Sequence, residues 1–235
     1  MSDDFTAALE ALERSAPSSE RYSQPFVDFL PVTGAAVSTL GDVLGSETLS
    51  ASDTHAARLD ELQFDLGEGP CWDALRSARP VREPALRTEG AVRWPAFAAA
   101  VRDEPVSSIF AFPLIVGPLK LGSVDLYSRD PLELDANDSQ RASTLAAIVG
   151  RHVLRGALTA SAPATGEDAN PRSRRVIHQA TGVVLAQLGV SPDDALLMIQ
   201  GHAFATSRSM MSVADEIVEG RLTFRRKNGR IEVGP

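Results

Sequence analysis

The stretch Val176-Ile-His-Gln-Ala-Thr-Gly-Val-Val-Leu-Ala-Gln-Leu-Gly-Val-Ser-Pro-Asp-Asp-Ala195 holds the end of one helix and the start of another. Val176, Ile177, Ala180, Val183, Val184 and Leu188 recur at spacings of three and four, which puts them on one face of an α-helix. Gly189 followed by Val190 has the pattern of a left-handed C-terminal cap, a conformation glycine adopts without a Cβ clash. Ser191 then offers an oxygen to the unpaired amides of a new first turn, and Pro192 fits the first helical position. Asp193 and Asp194 suit the positive end of that helix's dipole.

The second helix is predicted to run to about Thr206, and Ser207-Arg208-Ser209 breaks the pattern. Met210, Val213, Ala214, Ile217 and Val218 form a third amphipathic stripe that ends at Gly220. Three such helices can shield one another's apolar faces in a bundle. Upstream, Asn170-Pro171 supplies a cap and a first-turn proline, so the first helix is expected to start there. The preceding Ala160-Ser-Ala-Pro-Ala-Thr-Gly-Glu-Asp-Ala-Asn-Pro171 has no large apolar residue to anchor a core and reads as a linker.

Before the linker, β-type runs (Ala35–Leu40, Glu47–Ser50, Ser107–Phe112 and Leu121–Tyr127) alternate with helical patterns at Thr54–Leu62 and Trp94–Arg102. A longer helix is expected over Asp135–Leu158, with Ala142, Leu145, Val149 and Val153 along one face, and this stripe is the expected surface of a homodimer. The fold class is therefore α+β: an antiparallel sheet flanked by helices, followed by an all-α three-helix bundle. The expected segments are an N-terminal helical segment (1–23), a sheet domain (24–158), a linker (159–171), a bundle (172–224) and a basic tail (225–235).

A chain of 235 residues exceeds the usual single-domain size of roughly 100 to 150 residues, which fits two cores. Its charge is divided. Residues 171–235 hold eight Arg and one Lys against six acids, net +3, which leaves 14 basic against 25 acidic residues before them, net −11. The two halves should have different partners. No apolar run approaches the ~20 residues needed to span a bilayer, and the first ten residues are acidic. The lone Cys71 can close no intramolecular disulfide. These features point to the cytoplasm, away from membranes.

His55, His152, His178 and His202 show no metal-ligand spacing, and no Ser-His-Asp, paired-carboxylate or phosphate-loop motif is readable, so neither an enzyme nor a cofactor is expected. Cys71 follows Gly69-Pro70 at a helix start, where a dipole could activate a thiol; burial as a small hydrophobe is the favoured reading. Phe64, Cys71, Trp72, Phe110, Phe112 and Tyr127 are the candidate lining of a ligand pocket, with plain core packing as the rival. Gly182, beside Ala180, costs its helix about 1 kcal/mol relative to alanine. Either tight helix packing or a surface open to a ligand would explain it.

The run Val176–Ala195, with His202-Ala-Phe-Ala-Thr-Ser-Arg-Ser209 and Val213-Ala-Asp-Glu-Ile-Val218, resembles the ANTAR family of RNA-binding antitermination domains over 174–224. Leu59-Asp-Glu-Leu-Gln-Phe-Asp-Leu-Gly-Glu-Gly-Pro-Cys71, Trp94-Pro95, Pro113-Leu114 and Leu126-Tyr127 resemble the GAF sensor domain that commonly precedes ANTAR in actinobacterial proteins. The resemblance implies a regulator whose GAF-like domain senses an unidentified small molecule and whose helical domain binds hairpin RNA in nascent transcripts, preventing a terminator from forming. Arg174, Arg175, Gln179, Ala180, Thr181, Gly182, Thr206, Ser207 and Arg208 are the residues it assigns to RNA. Arginines can pair with phosphates or stack on splayed bases.

Gln200 and Gly201 stand where the family often has Arg, and Ser207 and Ser209 replace common Gly and Pro, which shifts the weight onto Arg174, Arg175, Arg208 and Arg225-Arg-Lys227. Two alternatives stay open. A DNA-binding regulator would use the third helix, whose outward positions Ser212, Asp215, Glu216 and Glu219 are mostly acidic. A protein-binding adaptor would have lost the RNA face.

Overall fold

The computed structural model describes residues 3–14, 21–41, 44–159, 175–206, 208–227 and 229–234. The chain divides into two compact units, Met1–Arg172 and Ser173–Pro235. The first contains α1 (Asp3–Arg14), α2 (Gln24–Phe29), β1 (Gly34–Thr39), β2 (Glu47–Ala51), α3 (Thr54–Leu66), α4 (Pro70–Ser77) and β3 (Val81–Glu83). A π-helical turn (Leu86–Gly90), α5 (Ala91–Arg93), α6 (Pro95–Ala100), β4 (Ser108–Val116), β5 (Leu119–Ser128) and α7 (Ala136–Thr159) complete it.

Among the described residues five strands form one antiparallel sheet in the order β2-β1-β5-β4-β3. Period-two alternation sorts its side chains into two faces. Ala35, Val37, Phe110, Phe112, Leu114, Val124 and Leu126 pack with Phe26 of α2 and with Ala142, Leu145, Val149 and Val153 of α7. Ala36, Ile109, Ala111 and Tyr127 face the other way, onto Leu59 of α3, Ala74 of α4 and Phe97 of α6. Each buried Leu or Phe contributes about 1.5–3 kcal/mol. The central strands approach so closely that a Cβ on Gly122 would sit 1.9 Å from the carbonyl oxygen of Ser38.

α7 follows the expectation for Asp135–Leu158, with Asp135 accepting a hydrogen bond from the amide of Asp138 at 2.7 Å. Its apolar stripe is spent inside the domain, though, because the sheet needs a cover on this face. The dimer surface expected from Ala142, Leu145, Val149 and Val153 is thus buried, and Leu158, 70% exposed, lies beyond it.

The second unit holds α8 (Arg175–Leu188), α9 (Pro192–Ala205), α10 (Met210–Val218) and a ribbon of β6 (Thr223–Lys227) and β7 (Arg230–Gly234). Gly189 takes the left-handed conformation (φ +66°), and the Ser191 hydroxyl accepts the amide of Asp194 at 3.1 Å, as the sequence pattern requires. Ser209 caps α10 in the same way, through the amide of Ser212. Ile177, Ala180, Val184, Ile199, Ala203, Met210, Val213, Ala214 and Ile217 are buried. Asn170, Pro171, Arg174, Ser207 and nearly all of the expected linker lie outside the described residues. The expected tail is instead an antiparallel ribbon with Phe224 opposite Val233.

Candidate functional site

In the first unit, the sheet face toward α3 is lined by polar groups. β1 and β5 place Ser38 opposite Ser123 and Ala36 opposite Asp125, so Ser38, Ser123 and Asp125 share that face. Asp60 of α3 reaches down between β1 and β2, accepting hydrogen bonds from Ser38 Oγ at 2.6 Å and from Thr48 Oγ1. One turn on, Gln63 Nε2 donates to Asp125 Oδ2 at 2.6 Å, and Ser123 Oγ donates to Asp125 Oδ1 at 3.0 Å. Asp60, Gln63 and Asp125 are at most 6% exposed, so two carboxylates and an amide are held away from water, with Ser38, Thr48, Ser123 and Gln63 among their donors.

The segment Leu66-Gly-Glu-Gly-Pro70 fixes this arrangement. Gly67 ends α3 in the left-handed region, and Gly69 (φ +136°) turns the chain into Pro70 at the start of α4. A Cβ on Gly69 would lie 2.6 Å from the Gln63 side chain, so glycine is required for the approach as well as for the turn. The turn brings the amide of Cys71 to Gln63 Oε1 (2.9 Å) and the indole N–H of Trp72 to the Gln63 carbonyl (2.7 Å). Glu68 accepts the amide of Phe97 at 2.9 Å, tying the loop to α6.

The six residues expected to line one pocket are divided by the sheet. Tyr127 lies on the α3 side, and Cys71 and Trp72 belong to α4, with Phe64 of α3 stacked on Trp72 at 6.2 Å. Phe110 and Phe112 sit on the opposite face under α7, because in β4 they alternate with Ile109 and Ala111. They are core residues. The Cys71 thiol is buried, as expected for a small hydrophobe.

Asp53 caps α3 by accepting the amides of His55 and Ala56, and it also takes hydrogen bonds from Ser52 Oγ and the Tyr127 hydroxyl (3.1 Å). Burial works to raise its pKa, and these donors outweigh it, holding the carboxyl below its ordinary value. The Tyr127 hydroxyl is pushed up to about 12, by burial first and then by the Asp53 charge. A separate cleft of about 220 Å³ lies among the π-helical turn, α5 and α6, lined by Leu86, Arg87, Ala91, Pro95, Ala98, Ala99, Val101 and Arg102.

In the second unit, α8 contains no acidic residue, and Arg175, His178, Gln179, Gly182 and Ala186 are exposed along it. Gly182 has open space where a Cβ would go, so packing within the bundle does not explain it. Ala180 is fully buried and cannot present itself to a ligand, a correction to its expected role. The Thr181 hydroxyl donates to the carbonyl of Ile177 (2.7 Å) and that of Thr206 to the carbonyl of His202 (2.7 Å).

Arg208 differs most from expectation. Its Nη1 donates to Glu216 Oε2 at 3.0 Å, its Nη2 lies 2.8 Å from Glu216 Oε1, and Ser212 Oγ accepts from Nη2 at 2.9 Å. The guanidinium closes the α9–α10 turn, and its charge is compensated. On α9, Leu197 and Phe204 are 63% and 69% exposed, with Gly201 between them.

Family models settle what these units are: one described as GAF domain matches residues 8–153, and one described as ANTAR domain matches residues 169–218. The chain belongs to the GAF domain family and carries an ANTAR domain. The GAF domain from an Acinetobacter phosphoenolpyruvate-protein phosphotransferase is similar to it with a TM-score of 0.52 and 11% identity, over 72% of this chain and 100% of that one. The corresponding domain from Coxiella burnetii gives 0.52 and 13%, over 66% and 94%. At these identities the likeness concerns the fold. No curated protein matches the chain.

In the GAF domain, Ser38, Thr48, Asp60, Gln63, Ser123 and Asp125 escaped sequence reasoning, since polar residues scattered over four elements carry no spacing signal. The readable clue was the paired glycines of Leu66–Pro70, which mark where backbone and Gln63 must meet. Beyond the ANTAR match, Asn228-Gly229 between two β-type runs is the sequence signal for a hairpin. Among the described residues no three His, Cys, Asp or Glu side chains gather to hold a metal, and no single helix is long and apolar enough to cross a membrane.

Proposed function

We propose that the chain is a non-catalytic, cytoplasmic transcription antitermination regulator whose GAF domain senses a small molecule and whose ANTAR domain binds hairpin RNA. A GAF sensor joined to an ANTAR output follows from the two family matches. The observation that carries RNA binding is the exposed face of α8. It is free of acids, has Arg175 at its start, and keeps Gly182 at a cost of about 1 kcal/mol although nothing inside the bundle needs it. A flat, unobstructed helix face suits close approach by a phosphodiester backbone or an unstacked base.

The polar face of the GAF sheet supports the sensing role. Its buried carboxylates accept from hydroxyls and an amide, partners that a ligand rich in hydrogen-bond donors could replace. A ligand that favours one arrangement of α3 over another would shift the populations of the chain's states by that difference in affinity. A homodimer would suit paired RNA hairpins, and with the α7 stripe buried its surface must lie elsewhere.

The DNA-binding alternative is weakened by α10, where Asp215 is exposed and Glu216 is committed to Arg208, with Glu219, which follows the helix, paired to Arg221. Pull-down of the full chain followed by sequencing of bound nucleic acid tests the proposal. Recovery of transcripts with hairpins ahead of terminators supports it; recovery of duplex DNA alone overturns it.

A further inference from the structure

The ANTAR match ends at residue 218, and the chain continues as the β6–β7 ribbon. The ribbon is seated on the bundle. Phe224 is 1% exposed, its amide donates to Gln187 Oε1 of α8 at 2.8 Å, and its ring meets His202 of α9 edge-on at 5.9 Å. Because Phe224 faces the bundle, alternation turns Arg225 and Lys227 outward. The register places Lys227 opposite Arg230 and Arg225 opposite Glu232, so these four residues share the outward face.

Three cations and one acid therefore occupy one side of a ten-residue ribbon in a chain of net charge −8. Lys227 and Arg230 stand directly across from each other, a like-charge pair that disfavours strand pairing. Glu232 lies 3.7 Å from Lys227 and cannot neutralise both. Among the described residues Arg225 and Arg230 show no side-chain hydrogen bond or ion pair. Among the described residues only Glu232 offsets these three cations, and an anion laid across the ribbon would offset the rest.

The ribbon docks beside the C-terminal end of α8, through Gln187, while Arg175 stands at the other end. At 1.5 Å per residue the two lie about 18 Å apart. Between them run the exposed Gly182 and Ala186. The face proposed above for RNA thus has a cation at its start and the ribbon at its end.

We propose that the outward face of the ribbon, through Arg225, Lys227 and Arg230, grips the phosphate backbone of the RNA stem whose loop lies on α8. This inference rests on the RNA-binding reading. The ribbon adds affinity and orientation without reading sequence, since phosphate contacts position and base contacts specify.

The test compares the full chain with its Arg225→Gln/Lys227→Gln/Arg230→Gln variant. The probe is a stem-loop selected by the unaltered chain from a library with a randomised loop. Losing three phosphate contacts at ~0.7–0.9 each should lower the slope of log affinity against log salt by about 2 to 3, and weaken binding about 100-fold at 0.1 M salt. Preference for the selected loop over a scrambled one should stay unchanged, as should the thermal melt. An unchanged slope with intact binding overturns the ribbon's role and leaves the RNA reading standing. Tighter binding by the variant, as when the ribbon occupies an acidic protein surface instead, overturns it too. A selection that returns no RNA defeats both proposals together.

Discussion

Arg208 holds Glu216 with both terminal guanidinium nitrogens, at 3.0 and 2.8 Å, and so joins the turn after α9 to the last turn of α10. The pairing raises the arginine's pKa and lowers the glutamate's, each through the hydrogen bond between them. Arg208 is accordingly a brace in this structure, despite its place among the residues the family resemblance assigns to RNA.

Arg208→Ala is expected to lower the melting temperature of the full chain's ANTAR domain and to leave the salt dependence of RNA binding unaltered. Arg208→Lys should not restore the melt, because an ammonium cannot reproduce the two-pronged contact. Arg175→Ala should do the reverse, sparing the melt and reducing the salt slope by about 0.7. Circular dichroism melts and salt titrations separate the two; a reduced slope in the Arg208 variant would return that residue to the RNA surface.

Gly182→Ala should stabilise α8 by about 1 kcal/mol, since the site is exposed and the added methyl meets nothing. The larger Gly182→Gln should weaken RNA binding about tenfold or more, equivalent to about 1.4 kcal/mol. A more stable chain that binds less well is the signature of a residue kept for a ligand. Unchanged binding in the glutamine variant would remove α8 from the interface.

Much of this was legible in the sequence. Caps at Ser191 and Gly189, and stripes such as Leu145-Val149-Val153, are local and periodic, so α7, α9, α10 and the end of α8 could be placed within a few residues, whereas the six-residue α2 is too short to show a stripe. β3 and the π-helical turn at Leu86–Gly90 are too short to show a period. Which face of the sheet a residue takes depends on register. Phe112 and Tyr127 both read as pocket lining in the sequence, whereas alternation in β4 and β5 sends them to opposite sides. The polar cluster was illegible for a similar reason: Asp60 and Asp125 are 65 positions apart, and only the fold brings both onto the sheet face beneath α3.

Asp125→Ala is expected to cost about 1–3 kcal/mol, the penalty for a buried amide, Gln63 Nε2, left without its acceptor. Asp125→Asn should cost less, since one oxygen remains. Chemical denaturation of the full chain measures both, and a neutral alanine variant would show that the network contributes little to the fold.

His152 gives the GAF domain a pH dependence. It is 2% exposed on α7, its ring edge-on to Tyr22, and its Nδ1 has no hydrogen-bond partner among the described residues. Burial first, then the charges of Arg155 and Arg151, push its pKa below 6.5, and Glu13 offsets this only in part. Below pH 6.5 the unfolded chain therefore binds more protons than the folded one. The stabilisation is complete above 6.5 and is lost as pH falls toward the folded value. Melting temperature should drop between pH 7.5 and 5.5, by roughly 2–4 °C per kcal/mol lost. His152→Phe should shrink that drop; an identical drop in the variant would assign the pH dependence to other groups.

The most direct test of the central claim is the affinity of the full chain for an RNA stem-loop chosen by selection, against duplex DNA of equal length and charge, at the same salt concentration. Binding to the RNA should be at least about tenfold tighter, a gap of about 1.4 kcal/mol that Gly182→Gln closes. Equal or tighter binding to the DNA would contradict the assignment of the α8 face to RNA.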